Sequence, residues 1–179
     1  MRMSPNVYHS SHCVVALVSL MALLASMATI SPYPADTERA PVERVIYTYR
    51  FSLGFHPFTS PGAVREQLTD HFWLFPVSGD CRGPLEQGRE CTLTGGNPVR
   101  VESVGTDWFQ IVSLRGHAVG EGLHIRFMFA RILGLHVLAV TAWASARTAD
   151  EAGGLGNKVL AWTLWQILAW TLSVSAYLS

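Results

Sequence analysis

At 179 residues the chain has the length of one domain. It is 49% hydrophobic and 15% charged, where an average globular chain is roughly 25% charged, and this excludes disorder for its body. Basic and acidic residues balance at 13 each, Lys158 is the one lysine, and no basic run occurs, so the cationic face that nucleic acid requires is missing.

Val14 to Ile30 reads VVALVSLMALLASMATI, 17 residues without a charge. Arg2 precedes it, Pro32 and Pro34 follow it, and the small residues Ser26 and Ala28 fit a secretory signal cleaved after Ala28. Seventeen residues is also the lower limit for a spanning helix, so residues 1–30 are either a signal peptide or an N-terminal membrane anchor. Both readings place the body on the extracytoplasmic side, secreted or membrane-anchored. A buried helix of a cytosolic protein is the bland alternative, and the lack of an amphipathic pattern counts against it. Residues 31–41, SPYPADTERAP, are a polar, Pro-containing linker, which leaves 42–179 as the domain.

The strand-like run 45–55 alternates β-branched and aromatic residues with polar ones. Ser60 and Pro61 then offer an N-cap and a first helical position for a helix over 61–75. Val64, Leu68, His71 or Phe72, and Phe75 recur at helical spacing and predict its buried side. The segment CRGPLEQGREC follows. In an exported protein Cys81 and Cys91 are expected to form a disulfide, the alternative being two free thiols, whereas Cys13 flanks the apolar segment. No second Cys or His pair stands at ligand spacing, so no metal site is expected, and no cofactor.

From residue 92 the period changes to two. Runs at 91–96, 99–105, 107–116, 123–133 and 135–145, divided mostly by glycine-containing turns, predict an antiparallel meander. In the fourth run Leu123, Ile125, Phe127 and Phe129 take one face and His124, Arg126 and Met128 the other. Residues 146–157 read as a loop. Residues 159–179 carry no charge and read as a long helix packed on the sheet, with Leu160, Leu164, Ile167, Leu168 and Leu172 on one side. A membrane helix at 159–178 is the alternative, weakened by Thr163, Gln166, Thr171, Ser173 and Ser175.

This order of strand, helix, meander and long helix resembles the helix-grip fold of START-like and birch-pollen-allergen-like proteins. The resemblance implies an α+β domain in which a curved antiparallel sheet of about six strands packs on the C-terminal helix around an apolar cavity. VRVESVGTDWFQIVSLRGHAVGEGLHIRF (99–127) further resembles an uncharacterised family of bacterial and plant proteins with a G-H-x-x-x-G-E turn, here Gly116, His117, Gly120 and Glu121. That family implies no activity.

Catalytic signals are sparse. His117 and Glu121 flank a glycine-rich turn and could serve acid–base work, whereas the glycines alone read as positions of positive φ. No serine elbow exists. GGLGNK (153–158) lacks the spacing of a phosphate loop and reads as a connector. A cavity under the last helix places Trp143, Trp162 and Trp165 as apolar ligand contacts, with Arg100, Gln110, Arg126 and Thr141 as polar candidates. The leading expectation is a non-enzymatic domain binding a hydrophobic small molecule or lipid. The alternatives are a cyclase or hydrolase on the same fold using His117 or His71, and a membrane protein with helices at 14–30 and 159–178.

Overall fold

The computed structural model describes residues 42–175. The expected signal or anchor and the linker lie outside the described residues. Strand β1 (Glu43–Phe55) leads into α1 (Pro61–Asp70) and a short 3-10 turn (Phe72–Leu74). The meander comprises β2 (Glu90–Leu93), β3 (Asn97–Val104), β4 (Trp108–Ser113), β5 (His124–Ile132) and β6 (Leu135–Ser145), followed by α2 (Ala146–Ala152) and α3 (Leu155–Ser175). The strands form one six-stranded sheet in the order β1-β6-β5-β4-β3-β2, antiparallel at every step. Register shifts in β1 at Val45/Tyr47 and Ser52/Gly54, and in β3 at Val101/Ser103, supply the local twist that bends such a sheet.

The inner face of the sheet follows from strand alternation. Phe51, Phe109, Phe127, Phe129, Leu138 and Val140 are buried there, against Val64 and Leu68 of α1, Phe72 and Phe75 after it, and Leu168, Ala169 and Leu172 of α3. Ser60 caps α1 by accepting a hydrogen bond from the N–H of Ala63 at 3.1 Å, and Pro61 opens the helix. A smaller cluster of Ile46, Leu123, Ala142, Ala144, Ala149 and Ala152 seats α2 on the strand ends.

Three expectations need adjustment. The helix predicted over 61–75 ends at Asp70, because His71 leaves helical geometry (φ −117°, ψ 56°), yet Phe72 and Phe75 still bury as the spacing required while His71 stays exposed. The predicted loop 146–157 holds α2 and the first turn of α3, since ARTADEA is built largely of good helix formers and only Gly153 and Gly154 interrupt. The buried side of α3 is Trp165, Leu168, Ala169 and Leu172, whereas Leu160 and Ile167 are 58% and 42% exposed. No helix among the described residues is long and apolar enough to cross a membrane.

Cys81 and Cys91 are disulfide-bonded, tying the loop after the 3-10 turn to edge strand β2 with Cα atoms 5.2 Å apart. Closing that loop in the unfolded chain is worth about 2.8 kcal/mol on the entropy estimate. Replacing both cysteines by alanine is therefore expected to lower the unfolding free energy by about 2–3 kcal/mol in urea denaturation. A loss well under about 1 kcal/mol shows that loop closure is not what the bond contributes.

Candidate functional site

An apolar cavity of about 310 Å³ lies between the sheet and α3. Its sheet wall is Tyr47, Val99, Ile111 and Ile125, its helix wall is Leu160, Ala161, Leu164 and Trp165, and His117 to Val119 of the β4–β5 turn close one side. Alternation explains the wall: Ile111 follows Phe109 and Ile125 precedes Phe127 on the face that looks toward α3.

The turn is held in place by its neighbours. Ser113 Oγ donates to the carbonyl of Gly120 (2.7 Å) and accepts from the N–H of Leu123 (2.8 Å). Asn97 Oδ1 accepts from the N–H of Ala118 at 2.9 Å. Gly116, Gly120 and Gly122 sit at φ 98°, 90° and 80°, which a side chain adopts only with strain. His117 is thereby fixed at the cavity wall. Its Nδ1 accepts from the N–H of Val119 (3.3 Å), which leaves the proton on Nε2 as a donor. Burial lowers the His117 pKa, so the imidazole is neutral at physiological pH.

Tyr47 is the second polar group. Its hydroxyl oxygen accepts from Trp165 Nε1 at 3.2 Å, and burial pushes its pKa up to about 12. The phenol therefore keeps its proton and can donate it. Glu121 is exposed and absent from the cavity wall, and no Asp or Glu stands among the lining residues. Thr94, Asn97, Ser113 and Asn157 also line the cavity, and the last three donate to the carbonyls of Thr94, Gly120 and Glu151, so the neutral donors set in its apolar surface are Tyr47, His117 and the rim hydroxyl of Thr94. Only Trp165 and His117 of the sequence-predicted site residues line it; Ile125 was read as apolar face alone, and Tyr47, Ile111 and Ala161 were not singled out.

The polar candidates are elsewhere. Gln110, Arg126, Thr141 and Trp143 point from the other face of the sheet, where register sets Gln110 beside Arg126 and Arg126 beside Thr141. There they form one network. Glu102 Oε2 accepts from Gln110 Nε2 (2.6 Å) and from His124 Nδ1 (2.7 Å), and Gln110 Oε1 accepts from Arg126 Nε (3.0 Å). The Arg126 guanidinium lies 4.7 Å from the Trp108 ring centroid and 5.4 Å from that of Trp143, on which His124 stacks at 5.6 Å. Thr141 meets Thr48 across the strands at 3.4 Å. Arg100 stands 3.8 Å from Glu90 at the surface, and Trp162 is 48% exposed with its ring 6.3 Å from Phe51.

No protein-family model matches the chain, and no curated protein matches it. Among solved structures, an X-ray structure of a Mesorhizobium loti protein aligns at 14% identity with a TM-score of 0.51, over 70% of this chain and 96% of that one. The chain has the helix-grip fold. A Bacillus halodurans protein solved in solution aligns at 14% identity and TM-score 0.48, covering 72% of this chain and 96% of that one. A Thalictrum norcoclaurine synthase in complex with a transition-state analogue aligns at 10% identity and TM-score 0.48, covering 77% and 98%. At such identities a likeness speaks for the fold alone.

The Glu102 network sets a pH test. Burial works to raise the Glu102 pKa, but hydrogen bonds from Gln110 and His124, with the charges of His124 and Arg100, outweigh it and hold the carboxyl below its ordinary value. A carboxylate lowered by folding contributes stability fully above its unfolded pKa, and that stability is lost as pH falls through the folded value. Glu102→Gln is expected to cost about 1 kcal/mol at neutral pH, and the variant's unfolding free energy should converge on the parent's in strong acid. A difference independent of pH shows that the ionised carboxylate is not what the network depends on.

Proposed function

We propose that the chain binds a hydrophobic small molecule in the cavity under α3, held by apolar contact and by hydrogen bonds from Tyr47 and His117 to an oxygen acceptor. The observation that carries this reading is the largely apolar cavity of about 310 Å³ with Tyr47 and His117 on its wall as neutral donors. Ligand pockets run from about 300 to 1,000 Å³, so this one favours a molecule of one or two rings over a diacyl lipid. The resemblance of the Gly116–Glu121 turn to the G-H-x-x-x-G-E family adds no activity to this reading.

An enzyme of cyclase or hydrolase type is the second reading. A neutral imidazole at the cavity wall favours it, because such a group can take a proton from a bound substrate. A binding role ranks first because, among the described residues, no carboxylate lines the cavity to orient His117 or to hold the imidazolium that would form. Work outside the cytoplasm is part of the proposal, supported by the apolar run Val14–Ile30 and by the Cys81–Cys91 disulfide.

Prodan, a two-ring apolar fluorophore with a carbonyl acceptor, tests the cavity in the full chain. Ala161→Trp fills the space from α3 and is expected to abolish binding while the cooperative melt persists. Tyr47→Phe removes one donor and is expected to weaken binding about tenfold. Undiminished fluorescence in Ala161→Trp places the probe elsewhere and refutes the cavity reading. A bound ester recovered chemically unchanged speaks for binding, and its hydrolysis for the enzyme.

A further inference from the structure

The end of the sheet away from the His117 turn carries an apolar projection that the core does not use. Two neighbouring segments make it, the end of β1 at Phe55 with the connection His56–Ser60, and the β5–β6 turn at Leu133 and Gly134. Phe58 is 99% exposed and Leu133 96%, with Phe55 at 59% and Ile132 at 64% beside them.

Hydrogen bonds fix these segments to each other. The N–H of His56 donates to the carbonyl of Gly134 at 2.9 Å. The fully buried His136 donates from Nε2 to the carbonyls of His56 (3.1 Å) and Thr59 (3.0 Å). Arg131 donates from NH1 to the carbonyls of Pro57 (2.8 Å) and Thr59 (2.7 Å). The Phe55 ring covers Gly134 so closely that a Cβ there would stand 2.5 Å from it. The projection is thus built, and its exposure is not the accident of a loose loop.

Leu133 sharpens the point. It occupies φ 51° in a hairpin turn, where Gly or Asn is the usual residue. A leucine there carries backbone strain and full solvent exposure together, and local folding preference explains neither.

Shape and charge say what the projection meets. With Phe58 and Leu133 almost fully exposed, it does not enclose a small ligand. Segments 55–61 and 131–137 contain no carboxylate, and Arg131 is their one arginine. Arg131 is exposed, and its NH1 alone is spent on the loop carbonyls, so Nε and NH2 have no partner among the described residues. An apolar tip with a guanidinium at its base matches the order of a bilayer surface, hydrocarbon below and phosphate above. We propose that this end of the domain docks onto a lipid bilayer, placing Phe58 and Leu133 among the acyl chains and Arg131 on lipid phosphate.

Hydrogen exchange of the full chain, with and without vesicles of phosphatidylcholine and phosphatidylglycerol, reads this contact independently of the cavity. Vesicles are expected to slow exchange in residues 55–59 and 132–135. The double variant Phe58→Ser, Leu133→Asn should lose that protection in both segments, a local readout that the apolar run Val14–Ile30 does not supply. Its thermal midpoint should hold or rise, because asparagine tolerates the turn better. Unchanged exchange in both segments on vesicles overturns the proposal. So does protection that appears without lipid and grows with protein concentration, which assigns the projection to a second copy of the chain.

Discussion

Trp165 sets the distance between α3 and the sheet. Its indole is 4% exposed, packs edge-on against Phe127 at 5.0 Å and tilted on Phe75 at 5.5 Å, and donates its N–H to Tyr47 on β1. A group this large cannot settle deeper without displacing the stacked pair Phe109 and Phe127, whose centroids are 4.8 Å apart. The helix therefore stands off the sheet on one side of Trp165, where Ile111 and Ile125 face Ala161 and Leu164 across the cavity. On its other side Leu168 and Leu172 close the core completely. Contact with the same indole fixes the Tyr47 hydroxyl, so the residue that props the cavity open also orients one of its donors.

The sheet separates two chemistries. Its inner face is largely apolar, and the polar side chains it carries, such as Tyr47, Ser113 and His136, are hydrogen-bonded there. Its outer face holds Glu102, Gln110, His124 and Arg126 in mutual hydrogen bonds, with Trp108 and Trp143 packed on the cation. Those side chains hydrogen-bond one another, so they order three adjacent strands and do not line the cavity. A polar residue in a strand is available to a cavity only when its parity points inward, and Gln110 and Arg126 have the wrong parity.

That parity was partly legible. The alternation of the fourth run separates Ile125 and Phe127 from Arg126, and β5 obeys it. Placing Gln110 and Thr141 on the same side as Arg126 needs the register of β4 and β6 against β5, which turn lengths and bulges decide. The order of elements and the Cys81–Cys91 pairing could be read from spacing and context. The rotation of α3 was legible only in part: Leu168 and Leu172 bury as expected, but the helix is apolar on so many sides that Ile167 could not be told from Trp165 and Ala169. Tyr47 was hidden for a related reason: among alternating aromatics on β1 nothing marks the one that meets an indole N–H.

The two unusual ends of the molecule lie at opposite ends of the β5–β6 hairpin. The His117 turn closes the cavity just before β5 begins at His124, and the projection of Phe58 and Leu133 stands where β5 ends at Ile132. An antiparallel strand rises about 3.4 Å per residue, so β5 alone puts them roughly 30 Å apart. A domain resting on its projection holds the cavity's polar corner away from the lipid, toward water. On the proposed reading a ligand would exchange with the aqueous side, beside the donors of Tyr47 and His117. A domain that drew its ligand straight from acyl chains would need its cavity beside Leu133, and the topology puts the cavity at the other end.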